Sequence, residues 1–331
     1  MKILARTFRI TLLSIIVLTP LLSAGPKSVS LRLNLPQGFR AVVVETTESN
    51  SITTFSSSSG PEKGQGEQKI QGRQTLTNEY LVECLGIDAN GIMTIRQTLT
   101  NTRGFIKNGE MITQYDSADP NSQTVGAGET LTAPVGKPVT FKVTSQGKVL
   151  EVEGFEPILE KIGKILKTKY SLPDFGQKEM DMWLQRFKNE RPHAIPAYYP
   201  TGRIVVGDSW VTPSFCLDGP CPTLEVASNT WTAKDINAST IHMEIVYTYS
   251  DDSIPQLQSL EREIRKSQIR ANNVSQMYIN IDTGLITSWD LSGGSSSMMT
   301  TAPEEPNGTE TRTFTQSAQN SMKLRTEFKT K

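Results

Sequence analysis

Two histidines and three cysteines are all this 331-residue chain has of the side chains most used for metal binding and nucleophilic catalysis. No His-x-x-x-His pair and no Cys-x-x-Cys array occurs, so the spacings that hold zinc are missing. Both histidines read as structural: His242 stands beside Met243 in an alternating stretch, and His193 follows Pro192. There is no Gly-x-Ser-x-Gly elbow, although Ser–His–acid triads are assembled in space and leave no fixed spacing to read. The adjacent carboxylates Asp251-Asp252 and Glu304-Glu305 are poor candidates for acid–base work, which needs two carboxyls held across a cleft in different environments. Gly293-Gly294 runs into serines and opens no helix, which argues against a phosphate cradle. The chain therefore reads as lacking a recognisable catalytic site, with no cofactor and no metal expected.

An excess of one charge is missing too. The 34 basic and 34 acidic residues cancel, so no global field draws the chain to nucleic acid or to anionic lipid. Lys161, Lys164, Lys167 and Lys169 cluster at helical spacing and read as a solvated face.

Long apolar runs are absent apart from one at the start. Lys2, Arg6 and Arg9 precede the apolar run from Ile10 to Leu22, and Ser23, Ala24 and Gly25 follow. This layout predicts a signal peptide over residues 1–24, cleaved after Ala24 or Gly25, with an uncleaved anchor as the alternative. The run is short of the roughly 20 residues that span a bilayer, and no later transmembrane helix is expected. Export to the periplasm or the exterior follows. There cysteines oxidise: Cys216 and Cys221 bracket the turn-prone Leu217-Asp218-Gly219-Pro220 and are expected to form a local disulfide. Cys84, among Leu81, Val82 and Leu85, reads as a buried strand thiol.

What the chain has in abundance is the β-hairpin pattern. Leu81–Ile87 and Ile92–Thr98 flank Asp88-Ala89-Asn90-Gly91; Val139–Thr144 and Lys148–Val152 flank Ser145-Gln146-Gly147. Ser228–Lys234 and Thr240–Thr248 flank Asp235–Ser239, and Met277–Ile281 and Leu285–Ser288 flank Asp282-Thr283-Gly284. Alternating Val, Ile and Thr around turns containing Gly or Asn mark half-buried antiparallel strands. Leu31, Leu33 and Leu35 alternate in the same way before Pro36-Gln37-Gly38. The fold class is mainly β: an antiparallel meander of hairpins, forming a curved sheet or half-open barrel, with an inserted pair of amphipathic helices. The first helix begins near Pro157 and aligns Ile158, Leu159, Ile162, Ile165 and Leu166; the second aligns Met180, Trp183, Leu184 and Phe187. The organisation is then a β half over 29–152, a helical insert over 153–193 and a β half over 194–329, the two β halves forming one continuous domain or two. Pro255–Arg270 fits helix and strand equally. Ser56–Lys69, Gly293–Glu310 and Asp116–Thr130 read as loops.

Three tracts carry a resemblance: Pro134–Phe141, Pro200–Trp210 with its closing Val206-Gly207-Asp208-Ser209-Trp210, and Tyr278–Trp289. In that order they resemble an uncharacterised family of secreted bacterial β proteins, a domain of unknown function. The resemblance implies export and an antiparallel sheet, and brings no catalytic residues. A fold-level likeness to periplasmic lipoprotein carriers, in which helices cover a curved sheet, rests on analogy.

These readings lead to an exported, non-enzymatic protein that binds a ligand or an envelope partner through its β scaffold. The alternatives are a hydrolase of an envelope polymer and a structural or assembly protein. A hydrophobic ligand would sit between sheet and helices, near Ile162, Leu166, Trp183 and Phe187, and Tyr198-Tyr199 could offer an aromatic surface.

Overall fold

A computed structural model describes residues 27–57, 68–119, 128–170, 191–196, 199–213, 215–216, 219–220, 227–251, 264–301 and 312–328. The chain runs through β1 (Ser28–Val29), β2 (Arg40–Ser57), β3 (Gln68–Ile87), β4 (Met93–Asn108), β5 (Met111–Asp116), α1 (Gly128–Thr132), β6 (Pro138–Val143), β7 (Val149–Glu153) and α2 (Glu156–Tyr170). It continues through β8 (Ile204–Val205), β9 (Ser209–Pro213), β10 (Phe215–Cys216), β11 (Gly219–Pro220), β12 (Ala227–Ile236), β13 (Thr240–Asp251), β14 (Ile264–Asn280), β15 (Ile286–Thr301) and β16 (Arg312–Phe328).

One open, curved sheet of 12 strands dominates, in the order β7-β6-β4-β3-β2-β16-β15-β14-β13-β12-β9, with β5 paired to β4. Its pairings are antiparallel. Each half is a meander, because short turns can join only antiparallel neighbours. Asp88 shows how such a turn closes: its Oδ1 accepts from the N–H groups of Asn90 and Ile92 at 2.8 and 2.9 Å. Gly91 there has φ 76°, a value that a side chain disfavours. The two meanders meet where β2 pairs with β16 along their length.

The core lies against one face and towards one end of this sheet. Val43, Val82, Ile95, Phe141, Ile241, Met243, Ile279 and Leu324 supply the sheet side; Ile158 of α2, Ile195 and Tyr199 lie in the same cluster. Leu31, Leu33 and Leu35 are buried while their neighbours are exposed. The alternation is that of a strand, but the segment has no strand partner. Leu33 N–H donates to Ser145 O at 2.7 Å and Asn34 N–H to Thr283 O at 3.0 Å, so it lies across two hairpin turns as a plug. A Cβ on Gly284 would collide with the backbone of Arg32 and Leu33; the plug approaches as closely as it does because that residue is glycine.

The central strands outrun the core. β3 has 20 residues, about 65 Å at ~3.3 Å per residue, yet its fully buried side chains are confined to Val82–Cys84. Further along, the strands carry Ser, Thr, Asn and Gln on both faces, as in Ser49-Asn50-Ser51 and Gln71 to Thr75. A sheet polar on both sides has a weakly specified register, and local devices fix it here. Thr100 is extra on β4, between Leu99 paired to Tyr80 and Asn101 paired to Glu79. Its hydroxyl donates to Glu79 O at 3.0 Å. This bulge inverts the alternation of β4, so that Ile95 and Thr102 both belong to the core side. Beyond it, Gly104 lies beneath Leu76 and the ring of Tyr115.

Two expectations about loops need correcting. Gly293–Thr301 belongs to β15, and Gly293–Thr300 is paired with both β14 and β16. Glycine and serine have little strand preference of their own, but neighbours on both sides complete their backbone bonds, and Gly293 makes room for Asn273. Residues 302–310 lie outside the described residues. Ser56, Ser57, Gln68 and Lys69 likewise continue the ladder of β2 and β3, and 58–67 lie outside the described residues. In the third expected loop, Asp116 ends β5 and 128–130 open α1; 120–127 lie outside the described residues. Of Pro255–Arg270, Ile264–Arg270 is strand and 255–263 lie outside the described residues.

Candidate functional site

Among the described residues, the sheet-facing side of α2 packs on protein. On α2, Ile158 and Leu159 are buried, Ile162 packs on the core and Leu166 is half-buried. Lys161, Lys164 and Lys167 face solvent, and Lys161 Nζ donates to Ala133 O at 3.2 Å. Tyr199, 2% exposed, is a strut: its hydroxyl donates to Gly284 O at 2.8 Å, and Gly147 leaves room for its ring. Burial drives the Tyr199 phenol far above its usual range and lowers the neighbouring Arg191. Arg191 Nη1 donates to Gly147 O at 3.1 Å. Trp183, Phe187, Tyr198 and Cys221 lie outside the described residues; Cys216 lies in β10, paired with Gly219 of β11. Cys84 is buried, its Sγ donates to Leu35 O at 3.6 Å, and burial raises its thiol.

Both histidines are engaged. His193 Nδ1 lies 2.9 Å from Glu45 Oε2, its ring stacks on Tyr80 at 3.9 Å, and its backbone N–H donates to Gln97 Oε1 at 2.6 Å. His242 stacks on Tyr278 at 4.5 Å, with Nε2 at 2.6 Å from Gln276 Oε1. Gln276 Nε2 continues to Glu244, which pairs with Lys234. The first network ties the 191–196 segment to β2, β3 and β4, and the second braces neighbouring strands. Among the described residues no three His, Cys, Asp or Glu side chains gather as a metal site, and no helix is long and apolar enough to cross a membrane.

Among the described residues an open concavity lies where the strands pass beyond the core. A groove of about 800 Å³ crosses β16, β2, β3 and β4, within the ~300–1,000 Å³ range of small-ligand sites. Ladder register explains its lining. Directly opposed residues share a face, so Ser317, Ile52 and Gln71 form one row and Gln319, Asn50, Arg73 and Lys107 the next. Phe105, half-buried, stands two residues from Lys107 on the same face. By alternation from Val43, Ile52 and Asn50 face away from the core; Phe105 and Lys107 do so because the Thr100 bulge shifts β4 by one residue. Ile52 is 46% exposed.

The charges in this groove are unbalanced. Arg73 and Lys107 are opposed across β3 and β4, an arrangement of like charges that is unfavourable in a bare sheet. Neither makes an ion pair among the described residues, although Glu48 stands one row along β2 on the same face. Glu83, nearer the core end, shows the contrasting case: Arg40 and Arg96 bond its carboxylate at 3.0 and 2.8 Å. The sequence hides the groove because Ser56–Lys69 has a loop's composition and the hairpin pattern of Leu81–Ile87 and Ile92–Thr98 stops short of it. The available signal was the outward set Asn50, Ile52, Gln71 and Arg73, at period two on either side of one turn.

The profile of a family of unknown function, DUF6263, matches residues 90–286. No curated protein matches the sequence significantly. Among solved structures, the chain is similar to lipovitellin, in a study of lipid–protein interactions in that protein, at 11% identity and TM-score 0.39; 89% of this chain and 25% of that one are covered. It thus spans about a quarter of the lipovitellin chain. It is also similar to Pseudomonas aeruginosa OccK7 (OpdD), at 8% identity and TM-score 0.22, covering 88% of this chain and 100% of that one. An outer membrane channel from Pseudomonas putida F1 follows at 8% identity and TM-score 0.21, with 89% and 97% covered.

Proposed function

Since the chain belongs to the DUF6263 family of unknown function, we propose that it is an exported, non-enzymatic binding protein whose ligand is held on the outer face of the long strands. The groove across β16, β2, β3 and β4 carries this reading: it combines volume, exposed hydrogen-bonding amides, two cations and the apolar Ile52 and Phe105 at one place. The other expected place, a hydrophobic ligand near Ile162, Leu166, Trp183 and Phe187, has less to support it: Ile162 packs on the core and Leu166 is half-buried, and Trp183 and Phe187 lie outside the described residues. Export is supported by the leader from Lys2 to Ala24.

Asn50→Trp and Gln71→Trp would fill the groove from exposed positions without entering the core. On arrays of glycans and lipids, the parent protein binds at least one class and the two variants lose that binding while keeping the parent's circular dichroism. Equal binding by parent and variants would remove the groove from consideration. For export, mass spectrometry of the N-terminus in cell fractions is decisive: a cytosolic product that retains Met1–Ala24 would refute it.

A further inference from the structure

We infer that the groove selects an acidic oligosaccharide, a chain of sugar units bearing carboxylates; this inference rests on the proposed binding role of that groove. Cation and amide donors are laid out in sequence across the strands. Arg73 and Lys107 occupy the β3–β4 side, while Asn50, Gln319 and Ser317 extend over β2 and β16. Four neighbouring strands span about 14 Å at ~4.8 Å spacing. A single small anion would use the two cations and leave the amides of Asn50 and Gln319 and the Ser317 hydroxyl idle. An extended ligand with one carboxylate over Arg73 and Lys107, and hydroxyls over the amides, uses all of it.

The chemistry of each group fits. An arginine fork donates two parallel bonds to a planar carboxylate, and lysine adds a point charge. Side-chain amides donate and accept at once, as sugar hydroxyls do. Phe105 and Ile52 offer apolar surface for the C–H face of a ring. A carboxylate here also relieves the repulsion between two opposed cations. Openness suits a polymer, which must enter and leave from the side.

The test is calorimetric titration of the full chain with three probes: tri-galacturonate, its uncharged counterpart galactotriose, and inorganic phosphate. Tri-galacturonate is expected to bind, to bind at least tenfold more weakly to the Arg73→Gln/Lys107→Gln double variant, and to weaken as salt rises. Failure to bind tri-galacturonate overturns the inference. So does phosphate binding as tightly as tri-galacturonate, which would mark a simple anion site. Galactotriose binding as tightly, and being blocked by Asn50→Trp, would overturn the acidic specificity while keeping the groove as the ligand site. Tri-galacturonate binding that ignores Asn50→Trp would overturn both.

Discussion

Truncating Leu33 to alanine tests the plug most directly. The side chain is 1% exposed, with Leu31 and Leu35 buried on either side. Leucine-to-alanine changes in cores cost roughly 2–5 kcal/mol, least where the surroundings collapse into the cavity. Collapse is hindered here, because the Leu33 N–H is bonded to Ser145 O at 2.7 Å and Asn34 N–H to Thr283 O at 3.0 Å. The segment also rests on Gly284. The upper part of the range applies, about 4 kcal/mol. At about 2–4 °C per kcal/mol for a chain of this order of size, the melting temperature falls by roughly 8 °C or more. Urea titration followed by tryptophan fluorescence measures the change, and an unaltered slope shows that the same surface is exposed on unfolding. Arg32→Ala, at an exposed neighbour, is the control and stays within about 0.5 kcal/mol. If Leu33→Ala loses less than about 1 kcal/mol, the segment is dispensable and its assignment to the core is wrong.

Three further outcomes are expected. Gly104→Ala places a Cβ 2.6 Å from Leu76 Cδ2 and from the Tyr115 ring; it costs about 1–3 kcal/mol, and hydrogen exchange should quicken in β4 and β5 before it does around Phe141. Tyr199→Phe loses one buried hydrogen bond, about 1 kcal/mol at neutral pH. Because the folded phenol titrates above its unfolded value, its contribution is complete below the unfolded pKa and declines as pH rises towards the folded one. Alkaline melts should therefore fall less steeply in Tyr199→Phe than in the parent, by up to about 1.4 kcal/mol per pH unit, and parallel curves would count against the burial argument. Glu83→Gln leaves Arg40 and Arg96 facing each other across β3; a loss of about 1 kcal/mol that shrinks with added salt is expected in denaturant titrations.

The meander was legible because its information is local. Asp88 to Gly91 and Asp282 to Gly284 carry turn chemistry, and Val139, Phe141 and Val143 alternate; the structure places each in the expected hairpin. Ile158 and Ile162 meet the sheet core as the helical spacing required. The reach of the strands was not legible. Gly293 to Ser297 has a loop's composition, and it becomes strand through partners on both sides that no local pattern reveals. The groove shared that obscurity, since Gln319, Asn50 and Lys107 are far apart in the chain and meet only through register. Thr100 compounded it by reversing which residues of β4 face outward.

The seam between β2 and β16 has a consequence for assembly. The long strand β2 and the 17-residue β16 are neighbours in the middle of the sheet, although the strands from β3 to β15 lie between them in sequence, and contacts this distant form slowly. If the polypeptide emerges N-terminus first, it can curl into two ribbons, yet each must wait with a bare hydrogen-bonding border until Arg312–Phe328 arrives to join them. Those borders are what stray partners would capture, so β16 acts as the clasp that ends a vulnerable interval.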